Sequence, residues 1–238
     1  MGFPAALTSR TVAERGLTVV CCVLFSLAVS SAASASSAAP RSAAQSLQRS
    51  LSDATAAGSA RITVQFFTGS TTGRVVQDSS LHAGEQTVAI GKELVSTVLV
   101  GGAAYISGNS QGLTTYFGLP GAVVPTLVGK WVSVQPTDAA FQAVSANVSL
   151  ASALANVTPS GTLVVGKRSK VDHQWVNSMS GEAPGGGQRL TLFVAANARA
   201  LPVEAVESSG SGKSAKGEIV TFSRWGERVH VPTPSGAL

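Results

Sequence analysis

From Ala60 to Ser107 the chain alternates apolar and polar residues at period two and is broken by glycine at short intervals, a combination that admits few folds. Ala60, Ile62, Val64 and Phe66 point one way while Arg61, Thr63 and Gln65 point the other, the signature of a strand with one buried and one wetter face. Further strand-like runs follow at Arg74–Leu81, Gln86–Ile90, Glu93–Val100 and Ala103–Ser107, with Lys130–Val134 beyond. Breaks at Gly84, Gly91 and Gly101-Gly102 leave links of hairpin length. A parallel return needs a crossover of about a dozen residues or more, so these strands form an antiparallel meander.

The flanking segments change period. From Ala38 to Gly58, Ala44, Leu47, Leu51 and Ala54 recur every three or four residues, which predicts an amphipathic helix with Pro40 in its first turn and Gly58 at its end. The apolar run from Thr115 to Lys130 is interrupted by Gly118, Pro120, Gly121, Pro125 and Gly129, and reads as a loop with at most short helical turns. Exposed, it would be an interaction patch; folded inward, it would plug the core. Phe141, Val144, Val148, Ala151 and Leu154 mark one or two helices between Thr137 and Val157, with Thr137 or Asp138 as cap. Strands return at Gly161–Val165, Val171–Ser180, Arg189–Ala195, Leu201–Ser208, Lys216–Trp225 and Arg228–Val231, with a hairpin loop over Ala183–Gly187. The layout is α+β: one large antiparallel sheet with helices on one side, in a single domain over residues 36–238.

Residues 1–35 read as a secretory leader. Arg10 and Arg15 precede the apolar run Leu17–Val29, and Ala33-Ser34-Ala35 offers a small-x-small cleavage site. The run is short of the roughly 20 residues that span a bilayer; an uncleaved N-terminal anchor is the rival reading. The leader also reframes the composition. It accounts for a sizeable part of the hydrophobic residues and for both cysteines, Cys21 and Cys22. Cleaved near Ala35, the chain has no thiol for disulfides or metal, and its packing alone must hold it. Its formal charge falls from +5 to +4 with the loss of Arg10, Arg15 and Glu14.

Little in the mature sequence carries chemistry. His82, His173 and His230 sit apart with no metal-ligand spacing, no serine lies in a G-x-S-x-G elbow, and Asp53, Asp78, Asp138 and Asp172 are dispersed. Gly185-Gly186-Gly187 lies between strands, away from any helix N-terminus that would cradle a phosphate. Basic residues are mostly scattered singly and form no long stripe, which argues against nucleic acid as a partner. The reading is of a non-enzymatic protein with no cofactor and no metal. Sequons at Asn147 and Asn156 would matter only where glycosylation operates. With 12% charged and 5% aromatic residues, the aliphatic strands suit either a solid core or a concave sheet lined by small side chains and open to long apolar ligands.

The order of motifs ARITVQFF, AAYIS, KWVSV, GTLVV, LTLFVAANARALPVEAVES and GEIVTFSRWGERVHVPTP resembles the LppX/LprG-type envelope lipoproteins of Actinobacteria, whose half-barrel is shared with the LolA and LolB carriers. The resemblance covers about residues 41–234 and is most specific in the tail: Phe222, Trp225-Gly226, Val229-x-Val231-Pro232, and before them Leu201-Pro202-Val203. It implies an antiparallel half-barrel sheet wrapped around helices, enclosing an apolar cavity that takes up acyl chains of lipids or glycolipids, in a secreted or envelope protein that meets a membrane surface or an envelope transport protein. One strand parity would line that cavity: Ile62, Val64, Phe66, Leu94, Val98, Tyr105, Leu163, Val165, Leu190, Leu192 and Val194, under a lid at 117–128. A one-residue error of register would invert the list. The family's lipobox cysteine has no counterpart, because Val19-Val20 precede Cys21 and apolar residues follow Cys22. The alternative function is a structural or cell-wall interaction module on the same scaffold with a filled core.

Overall fold

The computed structural model describes residues 42–68, 71–138, 140–209 and 216–238; the leader, its two cysteines and Pro40 lie outside the described residues. Helix α1 (Ala43–Ala57) starts at a capping box in which Ser42 Oγ accepts from Gln45 N and Gln45 Oε1 accepts from Ser42 N. It ends at Gly58, whose φ of 76° is the left-handed C-terminal conformation that glycine adopts without strain.

The meander follows as β1 (Ser59–Thr68), β2 (Thr71–Ser80), β3 (Gly84–Ile90), β4 (Glu93–Val100) and β5 (Ala103–Gly108). Gly101 and Gly102 both have positive φ, as a two-residue hairpin turn that matches the strand twist requires. Helix α2 (Ser110–Phe117) then occupies part of the segment read above as loop. Asn109 Oδ1 caps it by accepting from Gly112 N at 2.8 Å, and Leu113 and Phe117, one turn apart, bury its inner side. After it come α3 (Val124–Leu127), β6 (Val132–Val134), α4 (Phe141–Ala146) and α5 (Leu150–Asn156). Neither Thr137 nor Asp138 caps α4; Asp138 Oδ2 accepts instead from Gln135 N, while Ser149 caps α5.

The last section contains β7 (Ser160–Val165), β8 (Ser169–Val171), β9 (Gln174–Glu182), β10 (Arg189–Ala195), β11 (Pro202–Ser209) and β12 (Lys216–Ser223). The single strand expected over 171–180 is split by Asp172 and His173, both left-handed at φ 44° and 65°. Asp and His tolerate that region better than most residues, so the turn forms without glycine to announce it. Arg228–Val231, expected as a strand, is irregular tail.

Among the described residues the strands form one antiparallel sheet in the order β6-β5-β4-β3-β2-β1-β12-β11-β10-β9-β7, with β8 also on the outer side of β9. Strand β12 therefore joins the N-terminal meander to the C-terminal one. All five helices bury residues against the same face of the sheet. Backbone bonds from Ser133 N to Leu238 O and from Leu238 N to Trp131 O cover the β6 edge; at the other end β7 and β8 have no further strand outside them among the described residues.

Candidate functional site

Register identifies the helix-covered face residue by residue. One row runs Phe222, Ile62, Gln77, Gln86, Thr97, Ile106 and Val132 across seven strands, each paired with the next. Its ends are apolar and its middle is polar, although every member is buried. The row therefore crosses two separate apolar clusters. One gathers Leu47, Ala54, Leu150 and Leu154 of α1 and α5 over Ile62, Leu192 and their neighbours on β1 and β9–β12. The other gathers Leu113, Phe117, Val124 and Val144 of α2, α3 and α4 over β3–β6.

The polar seam between them is satisfied. Gln86 Nε2 donates to Gln77 Oε1 at 2.9 Å and to the Asn147 carbonyl at 3.0 Å. Gln77 Nε2 donates to Ser79 Oγ at 2.6 Å, and Ser79 Oγ donates to the Val148 carbonyl at 2.8 Å. Buried amides without partners would cost about 1–3 kcal/mol each, so this network pins the α4–α5 junction to the sheet. On α1, the fully buried Ser50 hydroxyl has no hydrogen-bond partner among the described residues.

The structure divides the eleven expected lining residues between both faces. Ile62, Leu190, Leu192 and Val194 are buried in the first cluster, and Val64 and Leu163 pack against it. Phe66 shares their strand face and lies over Gly73 of β2, its register partner. Leu94, Val98 and Tyr105 do not face the helices. Val98 pairs with Tyr105 and Glu85, while the helix-covered positions of these strands are Val95, Thr97 and Ile106. This corrects the register by one residue, because ELVSTVLV is apolar at both parities and alternation cannot choose between them. Leu94 is 48% exposed; Val165 is 55% exposed, despite pairing with the buried Met179. The seam was legible only as same-parity polar residues, Gln77 and Ser79 on β2 and Gln86 on β3, inside otherwise apolar strands.

The covering of the second cluster is lightly anchored. Helices α3 and α4 span four and six residues, and neither starts with a side-chain cap. Val123 and Val128, at either end of α3, are exposed, whereas Val124 is buried. Burial pushes the Tyr116 hydroxyl on α2 up from its usual value.

Two of the depressions at the surface are formed by the sheet and the tail. A groove of ≈ 430 Å³ is lined by Phe66, Phe67, Gly73, Arg74, Ala89 and Ile219, among others. A polar cleft of ≈ 240 Å³ brings Arg61, Asp78 and Glu85 beside Arg228 and His230 of the tail. There Arg61 Nε donates to Asp78 Oδ1 at 2.7 Å and Nη2 to Oδ2, a bidentate pair that raises the guanidinium pKa further and occupies both groups. Among the described residues, no three His, Cys, Asp or Glu side chains converge to hold a metal, and no helix is long and apolar enough to cross a membrane.

No protein-family model matches the chain, and no curated protein matches it in sequence. Its fold does match solved structures. LprF from Mycobacterium bovis aligns at 17% identity with a TM-score of 0.52, over 82% of this chain and 97% of that one. The lipoprotein LppX from Mycobacterium tuberculosis aligns at 14% identity with a TM-score of 0.51, over 80% of this chain and 98% of that one. The open antiparallel sheet with its few helices is thus the half-barrel of LppX and LprF, the architecture that the strand order and tail imply.

Proposed function

We propose that this protein is an exported, non-enzymatic component of the cell envelope that binds lipid, glycolipid or another long apolar molecule between its sheet and the α2–α4 segment. The observation that carries this reading is the second cluster. Aliphatic positions on β3–β6 lie beneath two short, uncapped helices whose connecting residues include exposed valines. Such a covering opens at lower cost than the sheet does, because local stability follows buried contact and satisfied backbone. An entering chain gains about 0.8 kcal/mol for each methylene withdrawn from water, which offsets the apolar surface that the moving helices expose. Positions Val95, Thr97 and Ile106 would then line the site, with Ile62, Val64, Leu190, Leu192 and Val194 in the neighbouring compartment.

Native mass spectrometry of protein purified from its own host tests this directly. The expected spectrum contains a bound lipid, and after delipidation a fluorescent acyl probe should bind and raise Tm, because a ligand at about 100 times its Kd adds about 2.7 kcal/mol of stability. Protein that is always empty and indifferent to the probe would instead support the filled-core interaction module. One observation favours that second reading: Leu113 and Val124 already fill the space over β4 and β5, at 0% and 2% exposure.

A further inference from the structure

The free end of the sheet carries a surface that apolar uptake does not use. Strands β7 and β8 run along the outer side of β9, and the six residues from Val165 to Lys170 include Lys167, Arg168 and Lys170. Lys170 is the register partner of Trp175. The Lys170 Nζ and the Arg168 guanidinium carbon each lie 4.9 Å from the centroid of the Trp175 ring. That indole is nevertheless 48% exposed, and at the end of β7 Val165 is 55% exposed, as is Val164 at 50% on the opposite face, where it pairs with Ser180. Val165 pairs with Met179, four residues along β9 from Trp175, so Val165, Lys170 and Trp175 occupy one face. The nearby carboxylates are Asp172 in the turn, Glu204 beyond it and Glu182 at the far end of β9; among the described residues none forms an ion pair with the three cations.

We propose that this edge docks on the surface of an anionic phospholipid bilayer. Indole settles at the headgroup level, ammonium and guanidinium groups meet the phosphates, and Val165, on the face of the indole, reaches the acyl boundary. The combination selects a bilayer over an acidic polymer, which has use for the cations and none for exposed valine and tryptophan. Addition of a partner's strand is disfavoured by the irregular ladder, whose register shifts between Ser160 and Val164 around Gly161 at φ 70°. Charged residues on an edge also discourage sheet-to-sheet pairing, and that role alone would leave membrane binding untouched by charge reversal.

The test is co-sedimentation of the purified protein with phosphatidylcholine vesicles, with and without phosphatidylglycerol, beside the triple variant Lys167→Glu/Arg168→Glu/Lys170→Glu and the conservative variant Trp175→Phe. The wild type should bind the phosphatidylglycerol vesicles and be released by salt, the triple variant should bind at least about a hundredfold more weakly, and tryptophan emission should shift to the blue on binding, a shift lost in Trp175→Phe. Circular dichroism and Tm establish that both variants fold. Failure of the wild type to bind, equal binding by the folded triple variant, or binding to soluble polyglutamate with none to vesicles would overturn the proposal. Acyl-probe uptake in vesicle-free buffer should be unchanged in the triple variant, so docking and uptake succeed or fail separately.

Discussion

Gly84 shows how a single hydrogen in place of a methyl decides where a helix pair can sit. A Cβ built there would stand 2.5 Å from the Val148 carbonyl oxygen, the same oxygen that accepts from Ser79 Oγ. The α4–α5 junction therefore lies directly on the β3 backbone, and the Gln77–Gln86–Ser79 network holds it at that distance. Gly84→Ala must push the junction outward or strain β3. The expected cost is about 1–3 kcal/mol, read as a lower urea midpoint with an unchanged m value. The sequence shows this glycine only as a break before a strand, since the atom that makes it necessary comes from a segment 64 positions away.

At the scale of elements, the contrast lies between α1, closed at both ends by Ser42, Gln45 and Gly58, and the pair α3 and α4, which lack side-chain caps. Hydrogen exchange should follow it: amides of residues 124–146 should exchange faster than those of β1, β12 and α1, and an acyl ligand should slow them selectively. Local pattern was enough for much of the sheet. Glu93–Val100 and Arg189–Ala195 end where alternation and glycine place them. It failed where two signals coincide or none exists. Strand β4 has valine and leucine at both parities, so only pairing with Val88 and Ile106 fixes its inner face. Helix α2 was hidden by the glycines and prolines around it, although Asn109 and the Leu113–Phe117 spacing were its markers. The helix-covered face was legible on β1 and β10, where one parity is clearly apolar, and illegible at the seam, whose buried glutamines make sense only against backbone carbonyls of a distant helix junction.

For the whole molecule, β12 has a role out of proportion to its eight residues. It pairs with β1 on one side and β11 on the other, so among the described residues the six strands β1–β6 and the strands β7–β11 belong to one sheet only through it. A chain ending at residue 215 should lose the cooperative thermal transition, because β1 and β11 would each present an unpaired ladder and Phe222 and Val220 would leave the first cluster. Differential scanning calorimetry checks this; a single sharp transition in the truncated chain would show the N-terminal meander to be self-sufficient. The pairing of β1 with β12 also joins residues some 150 positions apart, a topology expected to fold in milliseconds to seconds.

The consecutive residues Phe66 and Phe67 bear on how that long-range pairing is proofread. Phe66 covers Gly73 on one face of β1, and Phe67 covers Gly217 on the other, so each ring rests where its neighbour strand has no side chain. A slip of one residue against either neighbour would exchange the faces and set each ring against an occupied position. Misregistered assembly is thus rejected by collision as well as by loss of hydrophobic burial, and the two glycines serve as check digits for the strand that closes the sheet.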